Sequence, residues 1–256
     1  MEQLYYLNHE RFEPGDTKKA FEFAIQLIKK NKDVDTITFL VYQQHQYEPF
    51  LGEMGFTRQQ IQAHMFNVNG IKIQIHTVKT YHPNYIFSGE PNRELLIAVG
   101  VPPKSLEEFI DKSRVKYWII VPWIMDENEQ FLKIFEAKNL ETNEQITFEY
   151  EIDTRIKGAI EWLKATSYPN EGYHHPNDEN RLKDMANVIK NYHIPFEHDA
   201  LIHYCIHNGL LYDSACKTVE YFEKAQNRKF HVDSPYNPKF LLEQMNRTDW
   251  EIQNQL

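Results

Sequence analysis

The sequence predicts an α/β protein: a doubly wound, mostly parallel sheet over residues 1–150, followed by an all-helical region over 151–256. Three observations carry this. After Glu94, the strand at 94–100 is continuously apolar through Val99, as is the run at 117–121, rather than alternating, as strands covered on both faces are. Helical and strand spacing alternate up to about residue 150. Beyond Ile152 the period of two disappears, and only helical spacing remains as far as Asn227. The first region is therefore expected to be Rossmann-like, with right-handed crossovers.

Each element follows from local pattern. Thr17 caps a helix with Phe21, Ala24, Ile25 and Ile28 at helical spacing, and Lys29, Lys30 and Lys32 suit its carboxyl end. Residues 36–42 are β-branched and aromatic, a strand. Residues 49–65 are helical in part, interrupted near Gly52 and Gly55, with Thr57 capping the second piece. Asn69-Gly70 is a turn signal, and 71–78 alternates as a half-covered strand does. Residues 83–92 are expected to be loop, 94–100 a strand, and Ser105 the cap of a helix over 106–112. A strand at 117–121 stops at Pro122, which cannot donate to a ladder. A helix over 127–139 and an edge strand over 147–151 complete the sheet region.

Five helices are expected after that, over 153–165, 181–192, 199–208, 212–226 and 237–246, with Gly209 closing the third. Residues 167–180 form the longest uncommitted segment, the expected lid or hinge.

Composition narrows function. A chain of 256 residues, 41% hydrophobic, has ordinary globular make-up. A net charge of −9, with acid in excess in both halves, argues against a nucleic-acid partner. Two cysteines suit a reducing compartment, the N-terminal residues lack a signal pattern, and the longest apolar run, 117–125, is too short to span a bilayer. The expectation is a cytoplasmic protein with no membrane partner, and the lean toward Asn, Gln, Lys and Tyr suits an AT-rich bacterial or phage genome. The nine glycines fit neither the dinucleotide fingerprint nor the phosphate loop, no serine sits in a hydrolase elbow, and no zinc motif occurs. No cofactor is assigned.

In an open parallel sheet, ligands bind beyond the carboxyl ends of the strands. Those ends present Tyr42, Gln44, His76, Thr77, Gly100 and Trp123, with Ser105 at a helix start that could hold an anion. These seven are the expected ligand-binding residues. Gly100 is expected to let a ligand approach the backbone.

The helical region is rich in histidine. His203 and His207 are four apart on one helix, and His174, His175, His198, Asp199 and Asp213 surround them in sequence. The order His174 or His175, then His198-Asp199, then Asp213 resembles the ligand set of the HD-type phosphohydrolases. That resemblance implies a metal-dependent phosphohydrolase in the helical part. Residue by residue, Asp199 equally fits a helix cap or first-turn acid, and His203 and His207 lack an identifiable third ligand, so no metal is expected. The pair of helices joined through 209–212 has a helix-turn-helix outline, but the second carries Asp213, Glu220 and Glu223 and is no basic recognition helix.

Three readings stay open. The first is a sensor or enzyme binding a nucleotide-like or anionic small molecule at the sheet edge. The second is an interaction module for a protein partner or a second copy of the chain. The third is the phosphohydrolase.

Overall fold

The computed structural model describes residues 3–82, 93–111, 115–232 and 236–247. The expected loop at 83–92, and Lys112 at the end of an expected helix, lie outside them. The described residues divide into two compact units, 1–148 and 149–256. No helix among them is long and apolar enough to cross a membrane.

The first unit is α/β. Its seven strands are β1 (Gln3–Tyr6), β2 (Thr36–Val41), β3 (Met65–Val68), β4 (Ile71–Thr77), β5 (Glu94–Val99), β6 (Val115–Val121) and β7 (Lys138–Asn139). They form one sheet in the order β3-β4-β2-β5-β6-β1-β7. Every neighbouring pair is parallel except β3–β4, a hairpin closed by Asn69 and Gly70, both at positive φ.

Side chains alternate between the two faces of the sheet. On one face, Ile37, Phe39 and Val41 of β2, Leu95, Ile97 and Val99 of β5, and Ile119 and Val121 of β6 pack with Ala20, Ala24 and Ile28 of α1 (Asp16–Lys30). Phe50 and Leu51 of α2 (Tyr47–Leu51) and Ile61 of α3 (Arg58–Ala63) complete that layer. The other face carries Leu40, Leu96, Ala98, Trp118 and Ile120, all buried. The β5–β6 crossover runs in the opposite direction to β1–β2, so right-handedness puts α4 (Pro103–Ile110) there. Phe109 of α4 meets Tyr81 edge to face at 5.3 Å. Each large apolar side chain so buried contributes about 1.5–3 kcal/mol.

Several expected boundaries move. α1 begins at Asp16 after Gly15, which has φ +96°, so Thr17 lies inside the helix rather than capping it. α4 begins at Pro103 after Pro102, so Ser105 is in its first turn and does not cap; proline at the first helical position presets φ and needs no hydrogen. The helix expected over 127–139 is only α5 (Glu129–Ile134), because Glu136 at φ +46° turns the chain into β7. The strand expected at 147–151 does not form, and the sheet's last strand is β7, two residues long. Thr57 caps α3 as expected, in a reciprocal capping box with Gln60.

The opposite face also buries a carboxyl group. Glu94 accepts a hydrogen bond from the Tyr81 hydroxyl at 3.2 Å. Burial raises the Glu94 pKa above the usual carboxylate value, and hydrogen bonds from Thr38 and Tyr81 and the charge of Lys72 offset only part of that.

The second unit is helical, from α6 (Thr154–Thr166) through α7 (Pro176–Asn191), α8 (His198–His207) and α9 (Tyr212–Asn227) to α10 (Pro238–Met245). No strand occurs among its described residues. The expected lid at 167–180 is not a free loop. Residues Pro169–Glu171 form a 3-10 turn, and α7 already starts at Pro176. Tyr173 is buried with its hydroxyl 3.0 Å from Thr218 Oγ1, Lys217 donates to the Gly172 carbonyl, and Asn170 bonds both Gly209 and Leu211. Polar contacts from α9 and its preceding turn pin the segment in place.

Two outcomes follow from this packing. Glu94 stabilises fully below the ordinary carboxylate pKa, and its contribution is lost as pH rises from there through its raised folded value. A Glu94→Gln variant should match the wild type in urea midpoint at pH 4 and exceed it increasingly toward pH 8; parallel pH profiles would contradict the assignment. In α6, a Cβ added to Gly158 would lie 2.1 Å from the Met245 carbonyl oxygen of α10. Gly158→Ala should cost about 1–3 kcal/mol by urea denaturation, and an unchanged midpoint would disprove so close an approach.

Candidate functional site

A doubly wound sheet opens where neighbouring strands send their chains to opposite faces. Three such junctions exist here: β1 beside β6, β2 beside β5, and β2 beside β4. The first is zipped shut beyond the strands. Leu7 N–H donates to Ile120, Phe12 N–H to Trp123, and Met125 N–H to Glu10, with a bridge between Arg11 and Ile124. The second is filled: Phe50, from the helix that follows β2, lies 3.5 Å from where a Gly100 Cβ would stand beyond β5. The third is open, a cleft of about 750 Å3.

Its walls come from three local structures. β2 ends at Val41, and Tyr42, Gln43 and Gln44 follow. The Gln43 N–H is taken by the Gln46 side chain at 2.8 Å, which folds 44–46 into a 3-10 turn and presents His45 and Tyr47 to the cleft. β4 ends at Thr77, level with Val41. A tight turn follows in which Thr80 Oγ1 accepts from Thr77 N–H at 2.9 Å and the two hydroxyls lie 3.1 Å apart. That turn sets Thr77, Lys79 and Thr80 along the rim. Third, α3 ends in His64 at φ +57°, whose carbonyl accepts from Ile75 N–H and whose ring meets Tyr47 at 5.4 Å.

The cleft therefore collects His45, His64 and His76 with Lys79, Thr77 and Thr80, and no carboxylate is among its described lining residues. An adjoining depression shares Gln44, His45, Tyr47 and His64 and adds Glu48, whose charge is paired with Arg58. Burial holds the His76 pKa below the usual histidine range, with His64, His82 and Lys72 acting in the same direction and the Thr80 backbone opposing. Burial likewise raises the Tyr47 phenol. The arrangement offers hydroxyl, ammonium and imidazole groups as hydrogen-bond partners.

Four expected residues meet here: Tyr42, Gln44, His76 and Thr77. Gly100 and Trp123 lie together on the same edge but outside this cleft, and Ser105 sits in the first turn of α4. Gly100 has φ +60°, and a Cβ built there would face Phe50 and Trp123. Its glycine answers a backbone requirement. Sequence reasoning did not single out His45, His64, Lys79 or Thr80. The Thr77-x-x-Thr80 spacing was a readable turn signal; His64 carried none, because a left-handed helix end places it.

In the helical unit, the residues of the phosphohydrolase resemblance go separate ways. His175 caps α7 by accepting from Asn177, His198 pairs with Glu223 at 2.8 Å, and Asp199 and Asp213 occupy the first turns of α8 and α9. Among the described residues, none of His174, His175, His198, Asp199 and Asp213 belongs to a cluster of three metal-ligating side chains. His203 and His207 stack ring on ring at 3.9 Å, with His203 Nδ1 2.9 Å from the Tyr150 hydroxyl.

Because Gly100 has a left-handed backbone, Gly100→Ala should lower stability by about 1 kcal/mol in a denaturant titration. An unchanged midpoint would show that the position tolerates a side chain at this backbone conformation. Comparison of the chain with protein-family models, curated proteins and solved structures finds no match.

Proposed function

We propose that the protein binds a small anionic molecule in the cleft between the carboxyl ends of β2 and β4. The observation that carries this is the charge of the lining. In a chain with 37 acidic residues against 28 basic ones, the described residues lining the cleft include three histidines, one lysine and two threonines, and no acid is among them. A concavity whose described lining carries an ammonium and imidazoles favours negative ligands over positive ones. Hydroxyl and ammonium donors suit phosphate or carboxylate oxygens, and charge-assisted hydrogen bonds of this kind contribute about 1.5–3 kcal/mol each. The position at a junction where chains leave to opposite faces supports the same reading.

Calorimetric titration of the full chain with phosphate, pyrophosphate, citrate and nucleoside phosphates tests it, in a zwitterionic buffer. Binding of at least one anion is expected. Lys79→Gln and Thr80→Val should each weaken it about tenfold or more. Affinity should rise as pH falls below the usual histidine range and His76 gains its proton, and His76→Gln should flatten that rise, since burial holds the His76 pKa down. No heat with any anion, or affinities indifferent to both Lys79 and Thr80, would overturn the assignment.

A further inference from the structure

The edge that carries the anion cleft also carries an indole held ready for stacking. We propose that Trp123 receives the aromatic ring of the same ligand, which makes that ligand a nucleotide; the inference rests on the anion reading of the β2–β4 cleft.

Trp123 follows β6 and is 51% exposed. Its ring is nonetheless fixed. Phe12 lies nearly parallel to it at 5.6 Å and 15°, and Phe50 leans against it at 5.9 Å. The Trp123 carbonyl accepts from the Phe12 N–H, so the backbone beneath the ring is anchored as well. Gly100 contributes no side chain, and a Cβ built there would lie 3.8 Å from the Trp123 ring. A half-exposed indole backed by a parallel phenyl ring offers water a flat aromatic surface without rotamer freedom. Ordering costs at binding are thereby reduced, and a nucleobase has the complementary flat π-face.

Register places the two features within one ligand's reach. Thr77, Val41, Val99 and Val121 are level across β4, β2, β5 and β6. Three strand spacings separate the first from the last, about 14 Å. Trp123 is two residues beyond Val121, and Thr77 lines the cleft. Tyr42, 40% exposed, stands between them at the end of β2. Apart from Met65, Tyr42 and Trp123 are the large hydrophobic side chains most exposed among this unit's described residues. A ligand bridging this interval must be elongated, anionic at one end and flat and aromatic at the other. A nucleoside di- or triphosphate has that form, with ribose as the spacer.

The experiment compares pyrophosphate, ribose 5-phosphate, ADP and ATP on the wild type, Trp123→Leu and Trp123→Phe by calorimetry and tryptophan fluorescence. In the wild type, ADP or ATP should bind about tenfold or more tightly than pyrophosphate, the scale of one base stacked on one aromatic ring, and should quench emission that pyrophosphate leaves unchanged. Trp123→Leu should erase that preference while keeping pyrophosphate affinity, and Trp123→Phe should retain part of it. Equal affinity for pyrophosphate and ADP in the wild type overturns the stacking proposal and leaves the anion cleft standing. A nucleotide preference that survives Trp123→Leu does the same. Pyrophosphate affinity lost together with the preference in Trp123→Leu, or a melting temperature that falls in both variants, assigns Trp123 a packing role. Failure of every anion to bind overturns both readings.

Discussion

The placement of β2 between β4 and β5, parallel and level with both, is the constraint from which the rest of the first unit follows. It puts Val41, Thr77 and Val99 at one height. It also makes β2 a strand whose chain leaves to one face while the chains of both neighbours leave to the other. Shifting β4 by one residue would turn Ile73 and Ile75 away from the α1 layer and expose them. The register is therefore fixed by burial, and the cleft inherits that rigidity. Its walls are strand ends and short turns rather than long loops, and such elements hold polar groups to tighter tolerance.

The edge shows how a fold can have several formal openings and keep one. At β1–β6 the backbone continues pairing past the strand ends. At β2–β5 the aromatic rings of Phe12, Phe50 and Trp123 fill the volume. What remains is the junction where the flanking turns are held by their own side chains, Gln46 on one side and Thr80 on the other. Both turns satisfy their backbone groups locally, so neither has to close over the cleft to find hydrogen-bond partners.

Much of this was legible in the sequence. The continuous apolar runs at β5 and β6 and the alternation at β4 gave the sheet its class, and the strand ends gave Tyr42, Gln44, His76 and Thr77 their place. What was not legible has common physical causes. β1 and β7 are too short for a period to register: Gln3–Tyr6 has one aliphatic residue, and Lys138–Asn139 has none. Their strand state comes from neighbours in space. β3 lies at the sheet edge with none of its four residues buried, and only the Asn69-Gly70 turn pointed to it. The boundaries of α1 and α5 depended on positive φ at Gly15 and Glu136, a backbone property that composition does not encode for glutamate. His64 reached the cleft the same way.

The position of β1 has a consequence for the order in which the molecule is made. Gln3 pairs with Tyr117 and Tyr5 with Lys138. During synthesis, at ordinary translation speeds, β1 has no partner for about ten seconds after it leaves the ribosome. Over that interval β2, β4 and β5 can already pair, because residues 36–99 emerge together and contain both sides of the cleft. The site half of the sheet is thus available before the half that closes it, and the final step inserts an early segment between two late ones. Non-local closure of this kind slows folding, and it leaves the flank of β6 as an unpaired strand edge until β1 arrives, the interval in which the nascent chain is most exposed to pairing with another copy.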